Sequence, residues 1–131
     1  MSILGIDFGI KRTGLAISYY GNLVKPLTIV ETKNFDKTFA NLLKSENIDK
    51  IVIGLPDGKI KNIVLGFAKR LEKIYKLEVV FCDETLTSQK AKEELIKIGV
   101  KRKKRRTGLD ARAACLILEN YLSDNYEKSI D

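Results

Sequence analysis

The chain has 131 residues, enough for one domain around one core, and 44% of them are hydrophobic. It contains no histidine, which excludes histidine acid–base catalysis and all but excludes zinc, and its two cysteines, Cys82 and Cys115, form no CxxC pair. The net charge of +7 is concentrated in one run, KRKKRR at residues 101–106, without which only +1 remains. A local basic excess of this kind suits a polyanion, nucleic acid above all, although it also suits a solvated loop. No apolar run approaches the ~20 residues that cross a bilayer, and the N-terminus already reads as a strand rather than a leader. A cytoplasmic protein is expected.

Three strands come first. Residues 2–8 are a continuous apolar run, broken only by Asp7 at its end. Residues 14–20 alternate, with Leu15, Ile17 and Tyr19 on one side and Ala16 and Ser18 on the other. The glycine-bearing FGIKRTG between them predicts a hairpin turn. Residues 23–31 give a third strand, and Pro26 marks it as an edge strand. A helix is predicted over residues 34–47, with Phe35, Phe39, Leu42 and Leu43 on its apolar face. KIVIGL, ended by Pro56 and Gly58, is a short buried strand. Residues 60–76 form an amphipathic helix carrying Ile63, Phe67, Leu71 and Ile74 inward. LEVVFCDE is the next strand, and a helix follows it from a Thr87 or Ser88 cap to Gly99. After the basic run comes a last helix, residues 109–125, with Leu109, Ala113, Leu116, Ile117 and Tyr121 inward. Residues 124–131 are expected to be a frayed tail.

This order, βββαβαβαα, predicts an α/β domain spanning residues 1–131. Its mixed sheet has five strands, three antiparallel and then two parallel, with helices on both faces. There is no internal repeat and no linker.

A lone acid in a central apolar strand costs several kcal/mol unless it is paired, hydrated or bound to a cation. Asp7 is in that position. Asp83 and Glu84 end the last strand, and strand ends of this kind gather ligands in open α/β sheets. Neighbours on a strand point to opposite faces, so only one of these two acids shares a cluster with Asp7 easily. Asp110 opens the last helix, where it also suits a cap or the helix dipole. Converging carboxylates suit Mg²⁺ or Mn²⁺, and two such ions ~4 Å apart can activate water at a phosphodiester. Lys11 and Arg12 are either hairpin-tip residues or phosphate contacts. Cys82 and Cys115 read as core packing. GLPDG offers backbone N–H groups at a helix start, a weak anion signal by itself.

Together these segments resemble the YqgF/RuvX family, described as Holliday junction resolvases and as pre-16S ribosomal RNA nucleases. LGIDFGIKRTGLAIS is similar to the family's GIDxGxKRxGxAxS. IVIGLP with FAKRL, DETLTSQKAKEEL, and KKRRTGLDARAACLILENYL match its later motifs in order, across almost the whole chain. The resemblance implies a ribonuclease H-like fold. It implies that Asp7, Glu84 and Asp110 are the catalytic, metal-holding acids, choosing Glu84 over Asp83. It implies that Lys11 and Arg12 contact phosphate beside the basic residues Lys101, Arg102, Lys103, Lys104, Arg105 and Arg106. Two departures stand out. The family's DER is DET here, with Thr85 in place of arginine, and the loop after GLP is shorter.

The expected function is a divalent-metal-dependent endonuclease with Mg²⁺ or Mn²⁺ as cofactor. It would process the 5′ end of pre-16S rRNA or resolve branched DNA, acting beside ribosomal or transcription components. Symmetric cutting of a four-way junction would favour a homodimer over a monomer. A binding module without cleavage is the second reading, and it predicts salt-sensitive binding independent of Asp7. The third, one lobe of an actin-like ATPase or sugar kinase, shares GIDFGxxxxG but needs two lobes, and this chain has length for one.

Overall fold

The computed structural model describes residues 2–19, 23–83 and 111–130, with side chains described over 2–19, 23–82 and 111–123. Five strands, β1 (Ser2–Asp7), β2 (Arg12–Tyr19), β3 (Val24–Glu31), β4 (Ile48–Leu55) and β5 (Glu78–Asp83), form one sheet in the order β3-β2-β1-β4-β5. β1 pairs antiparallel with β2, β2 antiparallel with β3, β1 parallel with β4, and β4 parallel with β5. The expected mixed sheet is therefore present, and Pro26 lies on the edge strand β3, opposite Ala16 where the register shifts. A proline costs no ladder bond on the open side of an edge strand.

Strand alternation splits the core in two. Leu4, Ile6, Leu15, Ile51 and Ile53 face the helices α1 (Phe35–Ser45) and α2 (Ile60–Tyr75), whose Phe35, Phe39, Val64, Phe67, Ala68 and Leu71 complete that layer. The rings of Phe35, Phe39, Phe67 and Tyr75 touch one another in turn, with centroids 4.6–5.4 Å apart. Ala16 and Val52, with the partly buried Ile3, Val80 and Cys82, face the helix α3 (Arg112–Ile130) and its Ala114, Cys115, Ile117 and Leu118. Both cysteines pack within this second layer, Cys115 buried and Cys82 half-buried, as expected of core packing.

α3 lies very close to the central strand. A methyl group added to Gly5 would stand 3.0 Å from the Ala114 carbonyl oxygen and 3.1 Å from Leu118 Cβ. Glycine in β1 and alanines in α3 are thus one device: they let helix and strand approach without a side chain between them.

Several sequence expectations shift. α2 turns its Ile63 and Ile74 outward, at 50% and 56% exposed, and buries Val64 and Ala68 instead. Both stripes share Phe67 and Leu71, but the expected one would also have drawn in Arg70, whose guanidinium makes two 2.9 Å bonds to Asp36 at the surface. α3 is rotated in the same way: Ala111, Ala114, Cys115 and Leu118 are buried, whereas Ala113 and Leu116 are only half-buried. The small residues face the sheet because the close approach at Gly5 requires them there. α3 runs to Ile130, past the expected helix end at residue 125. A 3-10 turn, Thr32–Asn34, precedes α1, and β4 begins at Ile48 rather than Lys50. The helix expected from Thr87 or Ser88 lies outside the described residues.

Candidate nuclease centre at the end of the central strand

Asp7 is the last residue of β1, directly opposite Gly14 of β2. It shares a face with Ile3 and Gly5, so it belongs to the α3 side of the sheet. A methyl group on Gly14 would be 3.8 Å from Asp7 Cβ, from Ala114 Cβ and from the Cα of Ala111. The chain therefore arrives at Ala111, immediately after Asp110, beside the Asp7–Gly14 pair. Asp7 is half-buried and makes no side-chain hydrogen bond or ion pair with another described residue.

Two strands away, β5 ends at Asp83, opposite Leu55 of β4. Ile6 pairs with Ile53, which pairs with Phe81, so the ends of β1, β4 and β5 are level with one another. Val80 and Cys82 pack on the α3 face, the face of Asp7. Glu84, Thr85, Asp110 and the basic residues 101–106 lie outside the described residues. Among the described residues no three acids, cysteines or histidines come together in a metal-holding group. Asp7 itself fits a hard divalent cation: it is a carboxylate, half out of water, with no cationic or hydrogen-bonding partner among the described residues.

Lys11 in the turn from β1 to β2 and Arg12 at the start of β2 are both exposed, at the same end of the sheet. Its shape depends on Gly9, where a Cβ would fall 2.3 Å from the Arg12 carbonyl oxygen; any side chain there would force the backbone apart. The turn is also tied to the end of β3. The Thr32 amide donates to the Lys11 carbonyl at 2.9 Å, and the Thr32 hydroxyl donates to the Gly9 carbonyl at 2.6 Å. Thr13 and Thr32 hydroxyls lie 2.8 Å apart. The single Thr32 proton goes to Gly9, so Thr13 is the donor between them. Sequence reading missed Thr13 and Thr32 because the partners are 19 and 23 residues apart, and no local pattern marks such a pair.

An open groove of about 380 Å³ lies beside the turn, lined by Ile10, Lys11, Arg12, Glu31 and Lys33. A second, of about 330 Å³, lies at the other side, lined by Leu55, Pro56, Asp57, Lys61, Phe81 and Cys82. GLPDG borders this one; Gly58 there has φ +87°, a conformation suited to glycine.

The family described as "RuvX: Holliday junction resolvase" matches residues 1–124. The chain belongs to that family. Among its curated RuvX-like relatives, one from Syntrophus aciditrophicus is 39% identical over 93% of this chain and 88% of its own, and one from Bacillus cytotoxicus is 37% identical over 93% and 98%. Both carry the name "Putative pre-16S rRNA nuclease". Two solved structures share the architecture. Thermus thermophilus RuvC in complex with a Holliday junction substrate aligns over 95% of both chains with a TM-score of 0.58 and 16% identity. The fowlpox virus Holliday junction resolvase covers 100% of both with a TM-score of 0.51 and 19% identity. At these identities the likeness is one of fold, and the fold is ribonuclease H-like. No helix among the described residues is long and apolar enough to cross a membrane.

Proposed function

We propose that this RuvX-family chain is a divalent-cation-dependent endonuclease that hydrolyses phosphodiester bonds in structured nucleic acid, processing the 5′ end of pre-16S rRNA. The observation that carries the reading is Asp7: a half-buried carboxylate ends the central strand, without a partner among the described residues, where the chain arrives from Asp110. The rRNA substrate is drawn from the names of the relatives.

Asp7, Glu84 and Asp110 would hold Mg²⁺ or Mn²⁺ through carboxylate oxygens. The parity of β5 supports Glu84 over Asp83: Val80 and Cys82 face α3, and 84 is the next position of that series. A bound divalent cation supplies Lewis-acid polarisation of the phosphodiester and a more acidic water. The chain's own residues do the rest. Lys11 and Arg12, fixed by the Gly9 turn and the Thr32 bonds, hold the phosphates beside the scissile bond. Lys101, Arg102, Lys103, Lys104, Arg105 and Arg106 draw the polyanion in through counterion release.

The family description favours a second substrate, a four-way DNA junction. Incubating the protein with end-labelled pre-16S-like RNA and with such a junction, each with Mg²⁺, Mn²⁺ or EDTA, separates the two. Cation-dependent cutting of the RNA supports the first substrate and cutting of the junction the second. Salt-sensitive binding of both without cutting would replace the enzyme by a binding module.

A further inference from the structure

The groove beside the β1–β2 turn extends the basic surface in a direction the sequence motifs do not mark. Arg12 pairs in register with Glu31, and Glu31 is followed by the Thr32 that is bonded to both Gly9 and Lys11. The end of β3 and the turn are therefore one braced unit, and the groove between them has three cations, Lys11, Arg12 and Lys33, against the one carboxylate of Glu31. Lys33 and Glu31 form an ion pair 3.3 Å apart, with side chains 78% and 60% exposed. A pair so open to water is held weakly and is readily exchanged for a phosphate.

Arg12 lies two residues before Gly14, the partner of Asp7, and Glu31 lies one strand further out. With ~3.3 Å per residue and ~4.8 Å per strand, the groove is roughly 10 Å from Asp7, within reach of the next phosphate or two along one strand. Resting on the nuclease reading above, we propose that this groove is a flanking phosphodiester subsite: Lys33 contacts a backbone phosphate one or two nucleotides from the scissile bond, and Glu31, by pairing with Lys33 in the free protein and repelling phosphate, limits the affinity of that contact. A general charge effect gives the same two signs, so the subsite is distinguished by Lys33 acting where a lysine elsewhere on the surface does not.

The test measures binding of a fluorescent structured RNA and a fluorescent four-way DNA junction across a range of salt concentrations. Wild type is compared with Lys33→Gln, Glu31→Gln and, as a charge-matched control, Lys44→Gln in the last turn of α1. Lys33→Gln is expected to weaken binding and to reduce the salt slope, d log K/d log [salt], by about 1 in magnitude. Glu31→Gln is expected to tighten binding at low salt, with the gain fading as salt rises. Lys44→Gln should leave the slope unchanged. An effect on both probes assigns the subsite to phosphodiester backbone in general, and an effect on one assigns it to that nucleic acid. Equal slopes for wild type and Lys33→Gln, or equal losses from Lys33→Gln and Lys44→Gln, would overturn the subsite while leaving the nuclease reading intact. A wild type that binds neither probe would overturn both.

Discussion

The Thr32 hydroxyl donates to the Gly9 carbonyl at 2.6 Å, joining the start of the 3-10 turn to the loop that carries Lys11 and Arg12. The same oxygen receives the Thr13 hydroxyl, which is fully buried. Thr32→Val would remove both bonds and leave the Thr13 hydroxyl without a partner in the dry interior. The expected cost is about 1–3 kcal/mol in denaturant unfolding. Thr32→Ser keeps the oxygen and should recover most of it. In cleavage assays below the unfolding midpoint, Thr32→Val should also bind substrate less tightly, because the turn loses its brace.

Gly5 gives a second stability prediction. Valine there would drive two methyl groups into a space where one already meets the Ala114 carbonyl at 3.0 Å. The helix must retreat from the sheet, at a cost of about 1–3 kcal/mol or more. Because α3 begins at Arg112, two residues after Asp110 in the sequence, its retreat should also reduce cleavage in the fraction that stays folded. Intact activity with lowered stability would separate the packing of α3 from the site.

Alkaline pH tests the ring of Tyr75, which packs on Phe39 and donates to Asp36 at 3.1 Å. Burial first, and then the hydrogen bond to Asp36, raise its pKa above the ordinary 10.0. A raised pKa stabilises the fold fully below the unfolded value and loses that contribution as pH climbs through the folded value. Lys50, raised by its hydrogen bond to Tyr121 and by the Glu78 charge, has the same sign above 10.5. Unfolding free energy should therefore fall from about pH 10 upward. Tyr75→Phe should be less stable at neutral pH and show a shallower alkaline decline.

The fold was legible because its signals are local. Asp7 interrupts a strand that is apolar by composition, Pro26 marks an edge, and glycines flank the hairpin turn. The rotation of α2 and α3 was not legible in the same way. Ile63 and Ile74 extend an apolar stripe as well as Val64 and Ala68 do, and the choice between them is made by Arg70 reaching Asp36 on another helix. The approach of α3 to Gly5 likewise needs the sheet to exist before it selects Ala114 over Ala113. At the site, Asp7, Lys11 and Arg12 were marked by one contiguous motif, whereas Thr32, Glu31 and Lys33 join it only when β3 pairs with β2.

Neutralising the basic run tests how the polyanion is drawn in. Replacing Lys101, Arg102, Lys103, Lys104, Arg105 and Arg106 by Gln or Ser should weaken nucleic-acid binding at physiological salt and flatten its salt dependence by several units of slope. Thermal stability should change little. An unchanged slope would assign these six charges to solubility alone.

The most direct measurement compares Asp7→Asn with wild type in two assays on the same labelled RNA and junction substrates: single-turnover cleavage in Mg²⁺ or Mn²⁺, and equilibrium binding. The substitution keeps the size of the side chain and removes its charge. Cleavage should fall on the order of a hundredfold or more while binding is retained. Cleavage by Asp7→Asn at the wild-type rate, or wild-type cutting that persists in EDTA, would contradict the assignment of Asp7 to a cation-dependent nuclease centre.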